Sequence, residues 1–106
     1  MSAHKHTPGE WHVGGPHKCT IYDKYGQRIA NSFEGVMAAQ RTDSECAANA
    51  RLIAAAPELL DACMAMLEWD DRENDHAVDF YARMDLCRAA FDKARAAIAK
   101  AMGEYA

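Results

Sequence analysis

One stretch, residues 42–67, decides the fold of this chain: TDSECAANARLIAAAPELLDACMAML. Thr42 stands three residues before Glu45, the spacing of a capping box, in which both side chains bind free amides of the first helical turn. Pro57 has no amide hydrogen, so it predicts either the start of a new helix or a kink in the old one. Apolar residues at helical spacing predict one common face: Cys46, Ala50, Ile53, Leu60, Met64 and Leu67.

A second long helix is predicted from about residue 75 to residue 102, and Gly103 is placed to end it. Its apolar residues follow a heptad pattern, which is typical of a seam between helices. An antiparallel helical hairpin with a seam on both arms is half of a four-helix bundle, so we expect a homodimer or higher oligomer. The alternative is a monomer whose own hairpin covers the seam. The first heptad positions are Ala77, Met84, Phe91 and Ile98, and the fourth positions are Phe80, Cys87, Ala94 and Ala101.

The part of the chain before residue 42 is short, aromatic and rich in turns. Residues 1–10 are predicted to form a flexible tail and residues 11–41 a β-rich part. Residues 18–22 and 27–33 flank a loop that contains Gly26, which predicts an antiparallel hairpin, and residues 11–13 predict a further short strand. Residues 34–41 fit an edge strand or loop, which we favour, or a helical turn. The expected fold is α+β within a single domain of residues 1–106: an N-terminal β-hairpin or three-stranded sheet packed on a helical hairpin of residues 42–102.

Composition limits the kinds of partner. The chain has 106 residues and a net charge of −4, and 22 of its residues are alanine, which predicts a thin core. Residues 1–41 carry five basic and three acidic residues, whereas residues 42–106 carry seven basic and thirteen acidic ones. Without a dense basic patch, duplex nucleic acid is not expected as the main partner. No apolar run is long enough to span a membrane, and four cysteines without a CxxC pair fit free thiols in a reducing cytoplasm.

Two groups of residues invite a metal or an enzymatic interpretation. His4, His6, His12, His17 and Cys19 are possible metal ligands, but their spacing lacks the paired pattern of structural zinc sites. Glu58 and Asp61 match one E-x-x-D pair of the all-α nucleotide pyrophosphohydrolases, whereas the facing helix offers only Asp75 and Asp79, at a spacing of four. Half of a carboxylate set is a poor magnesium site. We therefore predict no metal, no cofactor and no enzymatic activity, and keep a metal-dependent hydrolase as the further alternative.

Aromatic and basic residues alternate in the β-rich part: Trp11, Lys18, Tyr22, Lys24, Tyr25, Arg28, Phe33 and Arg41. A sheet face of this kind can stack a base and pair with phosphates. The same residue types also anchor protein interfaces, or could simply cover the helices. The predicted ligand-binding residues are Trp11 and Tyr22, for stacking, and Arg28 and Arg51, for phosphates.

Three segments resemble a widespread group of small phage and prophage proteins. They are residues 6–11 (HTPGEW), residues 21–30 (IYD…G…IA) and residues 48–60 (ANARLIAAAPELL), and the alanine-rich residues 94–103 are also similar. The resemblance covers most of the chain except residues 68–74.

This resemblance implies a phage origin and a place in the host bacterial cytoplasm, where small acidic phage proteins often counter antiviral defence. The expected function is non-enzymatic binding, first of all sequestration of a nucleotide second messenger. The alternative is an inhibitor that binds a host defence protein, in the manner of an anti-CRISPR protein or a nucleic-acid mimic that uses the acidic loop of residues 70–75.

Overall fold

The structure is a computed structural model that describes residues 5–33, 40–75 and 77–103. A three-stranded antiparallel sheet precedes three helices, which confirms the predicted α+β fold. The edge-strand prediction for residues 34–41 falls mainly on residues 34–39, which lie outside the described part. The elements of the described residues are β1 (His12–Gly14), β2 (Thr20–Tyr22), β3 (Arg28–Asn31), α1 (Asp43–Ala54), α2 (Ala56–Arg72) and α3 (Phe80–Met102), with a 3-10 turn at Pro16–Lys18.

The sheet has the order β1-β2-β3, so each strand pairs with its neighbour in the chain. Val13 pairs with Ile21, and Ile21 pairs with Ala30, so these three residues share the face that packs on the helices. A bulge between Ile21 and Tyr22 admits one extra residue into β3. Ile29 occupies that position and also packs on the core.

The Thr42 cap and the break at Pro57, both predicted from residues 42–67, are confirmed. The Thr42 hydroxyl accepts a hydrogen bond from the Glu45 amide at 3.0 Å, which satisfies one free donor of the first turn of α1. α1 ends at Ala54, a single residue separates it from α2, and Pro57 lies in the first turn of α2. Proline is tolerated there because the first amides of a helix have no partner within it.

The last helix starts later than predicted. Asp79 is its N-cap, and its carboxylate accepts a hydrogen bond from the Ala82 amide at 2.7 Å. The carboxylate of Asp75 instead accepts from the Ala77 amide at 3.0 Å, within the connecting turn. A local side-chain bond of this kind competes with helix formation, which explains the shift. Gly103 ends α3 as predicted, with a φ of 74°.

Small side chains form the core. Ile21, Ala50 and Ala54 are buried where the sheet meets α1. Ala62 of α2 and Ala90 and Ala97 of α3 are buried in the helical hairpin. Alanine lets two helix backbones approach closely, so larger side chains are directed away from the contact.

The predicted apolar faces are therefore only partly correct. Cys46 and Ala50 are buried and Ile53 is partly buried, but Leu60, Met64 and Leu67 are exposed. In α3, four heptad residues are exposed: Phe80, Met84, Phe91 and Ile98. The contact between α2 and α3 instead runs along alanine-rich positions that lie between the heptad residues. Within the described residues, no helix is long and apolar enough to cross a membrane.

Candidate functional site

The outer face of the sheet carries two of the four predicted ligand-binding residues. Neighbouring residues of a strand point to opposite faces, so His12, Tyr22 and Arg28 lie on the side away from the helices. His12 pairs with Tyr22 across β1 and β2, and Tyr22 pairs with Arg28 across β2 and β3. We call these three residues the outer row. They place an imidazole, a phenol and a guanidinium side by side on one strip of the sheet.

The ring of Tyr22 is held in a fixed position. It stacks on the His12 ring, with centroids 5.7 Å apart and an interplanar angle of 28°. A Cβ atom built on Gly14 would lie 3.1 Å from the Tyr22 ring, and one on Gly15 would lie 3.3 Å from its hydroxyl. The two glycines thus leave room for the ring against the backbone. These contacts hold the Tyr22 ring against β1, and packing of this kind preorganises a binding residue.

The turn between β2 and β3 adjoins the outer row and is rigidly built. Asp23 is buried, and its carboxylate accepts hydrogen bonds from the amides of Tyr25 and Gln27, both at 2.9 Å. Tyr25 itself is 77% exposed, and the Lys24 ammonium lies 5.2 Å from its ring centroid. We call Tyr25 and Lys24 the turn pair. Together with the outer row they form a patch of rings and cations beside a turn that Asp23 fixes.

Trp11 lies on the opposite side of the sheet from the outer row. It packs against the core around Ile21, its indole nitrogen donates a hydrogen bond to the Thr7 carbonyl at 3.0 Å, and its ring meets the His6 ring edge-on. Its own carbonyl accepts a hydrogen bond from the Lys100 ammonium at 2.8 Å. The structure thus places Trp11 in the packing of the N-terminal residues on the sheet and α3.

Arg51 also lies away from the outer row. It belongs to α1 and reaches the C-terminal end of α3, where a Cβ atom built on Gly103 would lie only 2.7 Å from its Nε. This Nε is buried and has no hydrogen-bond partner among the described residues. A guanidinium at the carboxyl end of a helix is favoured by the negative end of the helix dipole. Arg51 and Trp11 thus do not converge with Tyr22 and Arg28.

The carboxylate pair considered for magnesium lies beside basic side chains. The Lys100 ammonium is 2.8 Å from the Glu58 carboxylate, and Lys93 lines the same cleft of about 160 Å³ as Glu58 and Asp61. An ammonium group at this distance competes with a metal ion for the carboxylate. Among the described residues, no group of three or more His, Cys, Asp or Glu side chains is placed to hold a metal ion.

The candidate metal-binding histidines have separate surroundings. His4 lies outside the described residues. His6 contacts Trp11, His12 stacks on Tyr22, and His17 lies 3.5 Å from the Asp43 carboxylate. Sequence reasoning treated His12 as a metal candidate and missed its contact with Tyr22. The signal was the Gly14–Gly15 pair, which allows a large ring on the neighbouring strand to lie across β1.

The cysteine thiols differ in exposure. Cys19 and Cys46 are buried, Cys87 is partly buried and Cys63 is exposed. Burial raises the pKa of the Cys46 thiol, and the nearby Cys19 raises it further. A buried thiol with a raised pKa stays protonated at neutral pH and is a poor nucleophile.

The comparisons with known proteins identify a family. A family model described as Salmonella phage P22 protein Y8K6 matches residues 1–105, almost the entire chain. The chain belongs to this family. No curated protein and no solved structure matches it. Membership in the P22 Y8K6 family makes it a small phage protein, which agrees with the predicted phage origin.

Proposed function

We propose that the protein is a phage-encoded accessory protein that acts by binding, not catalysis, in the cytoplasm of the bacterial host. Membership in a phage protein family supports the phage origin. The proposed biological role is to counter host antiviral defence. The proposed target is a host defence protein, bound by the outer row and the turn pair.

The observation that carries this proposal is the row formed by His12, Tyr22 and Arg28. Tyrosine and arginine are the residue types that most often anchor protein interfaces, because they combine large contact area with directed hydrogen bonds. Here both stand on a sheet whose turn is fixed by the buried Asp23, so little backbone conformational entropy would be lost on binding. Arg28 and the neighbouring Lys24 favour an acidic surface on the partner.

A nucleotide signal is the second candidate, and the Tyr22–Arg28 pairing favours it. A tyrosine ring can stack on a base while a cross-strand guanidinium pairs with a phosphate. Sequestration of a small ligand is normally achieved by a concave site that surrounds it. The helices pack on the other side of the sheet, and Trp11 and Arg51 lie elsewhere. An open face with two convergent groups suits a protein surface better than a small nucleotide.

A pull-down with matched variants tests the proposal. Wild-type protein, the double variant Tyr25→Ala/Arg28→Ala and the control Arg88→Ala are immobilised and exposed to host lysate. Tyr25, Arg28 and Arg88 are all exposed, so each variant should keep its circular dichroism spectrum and unfolding midpoint. We expect a protein that wild type and Arg88→Ala retain and the double variant loses. With that partner purified, calorimetry should show at least about a tenfold loss of affinity for the double variant.

The same preparations separate the two targets. Native mass spectrometry of protein purified gently from infected cells reports any retained small molecule. A bound mass of nucleotide size that disappears in Arg28→Ala would replace the protein target with the nucleotide signal. A partner that binds wild type and the double variant equally would contradict the assignment to the outer row. A mechanism based on the acidic residues 70–75, of which Asp70 and Asp71 lie in the last turn of α2, would then be tested by charge reversal at these two residues.

A further inference from the structure

Many large apolar side chains lie at the surface of this protein, whereas in an ordinary small domain they lie in the core. Six of the nine buried hydrophobic residues among those described are alanines, and the largest fully buried side chains are Ile21 and Cys46. Leucine, isoleucine, phenylalanine and methionine usually fill a core. Here a series of them lies at the surface of the helical hairpin instead. The radius of gyration of 16.9 Å exceeds the roughly 13 Å expected for a compact chain of this length, so the molecule is elongated.

Six exposed apolar residues of α2 and α3 lie in one row along each helix, and we call them together the apolar face. They are 37% to 65% exposed: Leu60, Leu67, Phe80, Met84, Phe91 and Ile98. Met84, Phe91 and Ile98 follow one another at intervals of seven along α3, so they lie in one row. Trp69 of α2 contacts Phe91, with ring centroids 5.8 Å apart, and shares a groove with Phe80 and Met84. The two helices therefore contribute to the same face.

The opposite face of the hairpin carries charged side chains. Glu58, Asp61 and Lys93 line the groove between α2 and α3 on that side, together with alanines. Asp61 and Lys93 are exposed to water there, and Glu58 is paired with the Lys100 ammonium. The hairpin is thus amphipathic across its two broad faces, with one face suited to water and the other to burial.

We infer that the apolar face is the interface of a homodimer, in which two copies form a four-helix bundle through α2 and α3. A heptad row on an antiparallel hairpin is the arrangement from which such bundles are built. At about 150–200 Å² for each large side chain, six half-exposed residues offer on the order of 500 Å² of apolar area. A stable interface buries about 800 Å² on each partner. The partly buried Leu59 and Met66 of α2, with the polar rim, supply the difference.

We favour a second copy over an unrelated partner because the apolar face can pack on the identical face of another chain. The face presents leucines on α2 and larger side chains on α3, and a two-fold axis along the hairpin places α2 of one copy on α3 of the other. Each copy then contributes the same row of side chains, as an isologous interface requires. This inference concerns the helices and does not rest on the proposed function of the outer row.

The first test uses the unmodified protein. Sedimentation velocity over a dilution series should give a species of twice the 11.7 kDa chain mass. Cys63 lies between Leu60 and Leu67 at helical spacing, so it is exposed in one copy and covered in the dimer. Its reaction with Ellman's reagent should be slow in the dimer and accelerate on dilution. A monomer at every concentration, or an assembly in which Cys63 reacts as fast as a free thiol, would overturn the inference.

The second test compares two lysine substitutions on α3. Ile98→Lys places a charge in the apolar face, whereas Ala89→Lys places the same charge at an exposed position on the other side of the helix. We expect Ile98→Lys to weaken association by at least about tenfold and Ala89→Lys to leave it unchanged. If Ile98→Lys loses its helical circular dichroism spectrum, Met84→Lys provides the same test. Equal association of these folded variants would overturn the inference.

Discussion

The ammonium group of Lys100 lies 2.8 Å from a carboxylate oxygen of Glu58, and the Lys100 side chain is only 10% exposed. The same ammonium donates a hydrogen bond to the Trp11 carbonyl at 2.8 Å and lies 3.8 Å from the Glu10 carboxylate. One side chain near the end of α3 therefore joins the start of α2 to the segment that leads into β1. These contacts bridge parts of the chain that are far apart in sequence.

Replacement of this lysine should destabilise the protein. Lys100→Met keeps the aliphatic stem but removes both hydrogen bonds and leaves the Glu58 carboxylate, itself partly buried, without its cation. We expect a loss of about 2–3 kcal/mol in the free energy of unfolding, measured by urea denaturation. Lys93→Met is the control, because Lys93 is exposed and its loss should change stability by less than about 0.5 kcal/mol. Equal effects would show that the Lys100 contacts contribute nothing measurable.

Gly15 should be less replaceable than Gly26. Both have a positive φ, 75° and 83°, which disfavours alanine at either position, and the ψ of −178° at Gly15 places it in a region that essentially only glycine adopts. A Cβ atom on Gly15 would also lie 2.8 Å from the Thr20 hydroxyl, whereas nothing lies within 4 Å of one on Gly26. Urea midpoints should therefore fall further for Gly15→Ala than for Gly26→Ala. The reverse order would contradict the close approach of β1 to β2.

The cap of α3 should contribute measurably to stability. Asp79→Ala removes the acceptor for the Ala82 amide and should cost about 1 kcal/mol. Asp92→Ala is a matched control on the same helix, because Asp92 forms an exposed pair with Arg95. Exposed pairs contribute little, so its effect should stay below about 0.5 kcal/mol. Thermal unfolding, followed at the helical circular dichroism band, compares the two variants. Equal losses of stability would contradict the placement of the helix start at Asp79.

The buried thiol of Cys46 predicts a loss of stability in alkali. Its pKa in the folded protein is raised above the ordinary value of 9.0 by burial, so the folded state holds the proton more tightly than the unfolded state. The resulting stabilisation is fully present below pH 9.0 and is lost as the pH rises through the higher folded-state pKa. Urea unfolding at a series of alkaline pH values should show a weaker decline for Cys46→Ala than for wild type. Cys63→Ala, at the exposed thiol, should keep the wild-type slope.

Local signals in the sequence were reliable for the elements of the fold. The Thr42–Glu45 spacing placed the start of α1, Pro57 placed the start of α2, and Gly103 placed the end of α3. Each of these depends on the residue's own backbone preferences or on a hydrogen bond within one turn. The start of α3 was misplaced because Asp75 and Asp79 both fit an N-cap, and their competition is decided by the connecting turn.

Only two of the four binding residues predicted from the sequence lie in the outer row. Residue type singled out four side chains for binding, but strand alternation separates Trp11 from the outer row, and Arg51 reaches the end of α3. Which rings and cations lie together depends on strand register and on the bulge between Ile21 and Tyr22. A shift of one residue in register moves a side chain to the other face, so composition cannot settle this.

The sequence by itself determined the helices, the hairpin and most of the helix ends, because capping, proline and glycine effects act within a few residues. The tertiary structure decided which apolar residues are buried. In the hairpin, Ala90 and Ala97 are buried, while Phe91 and Ile98 remain at the surface. All four have helical spacing, and periodicity alone cannot tell which row faces a neighbour. Close packing of two helices selects the small side chains for their contact, and so leaves the large ones on the apolar face.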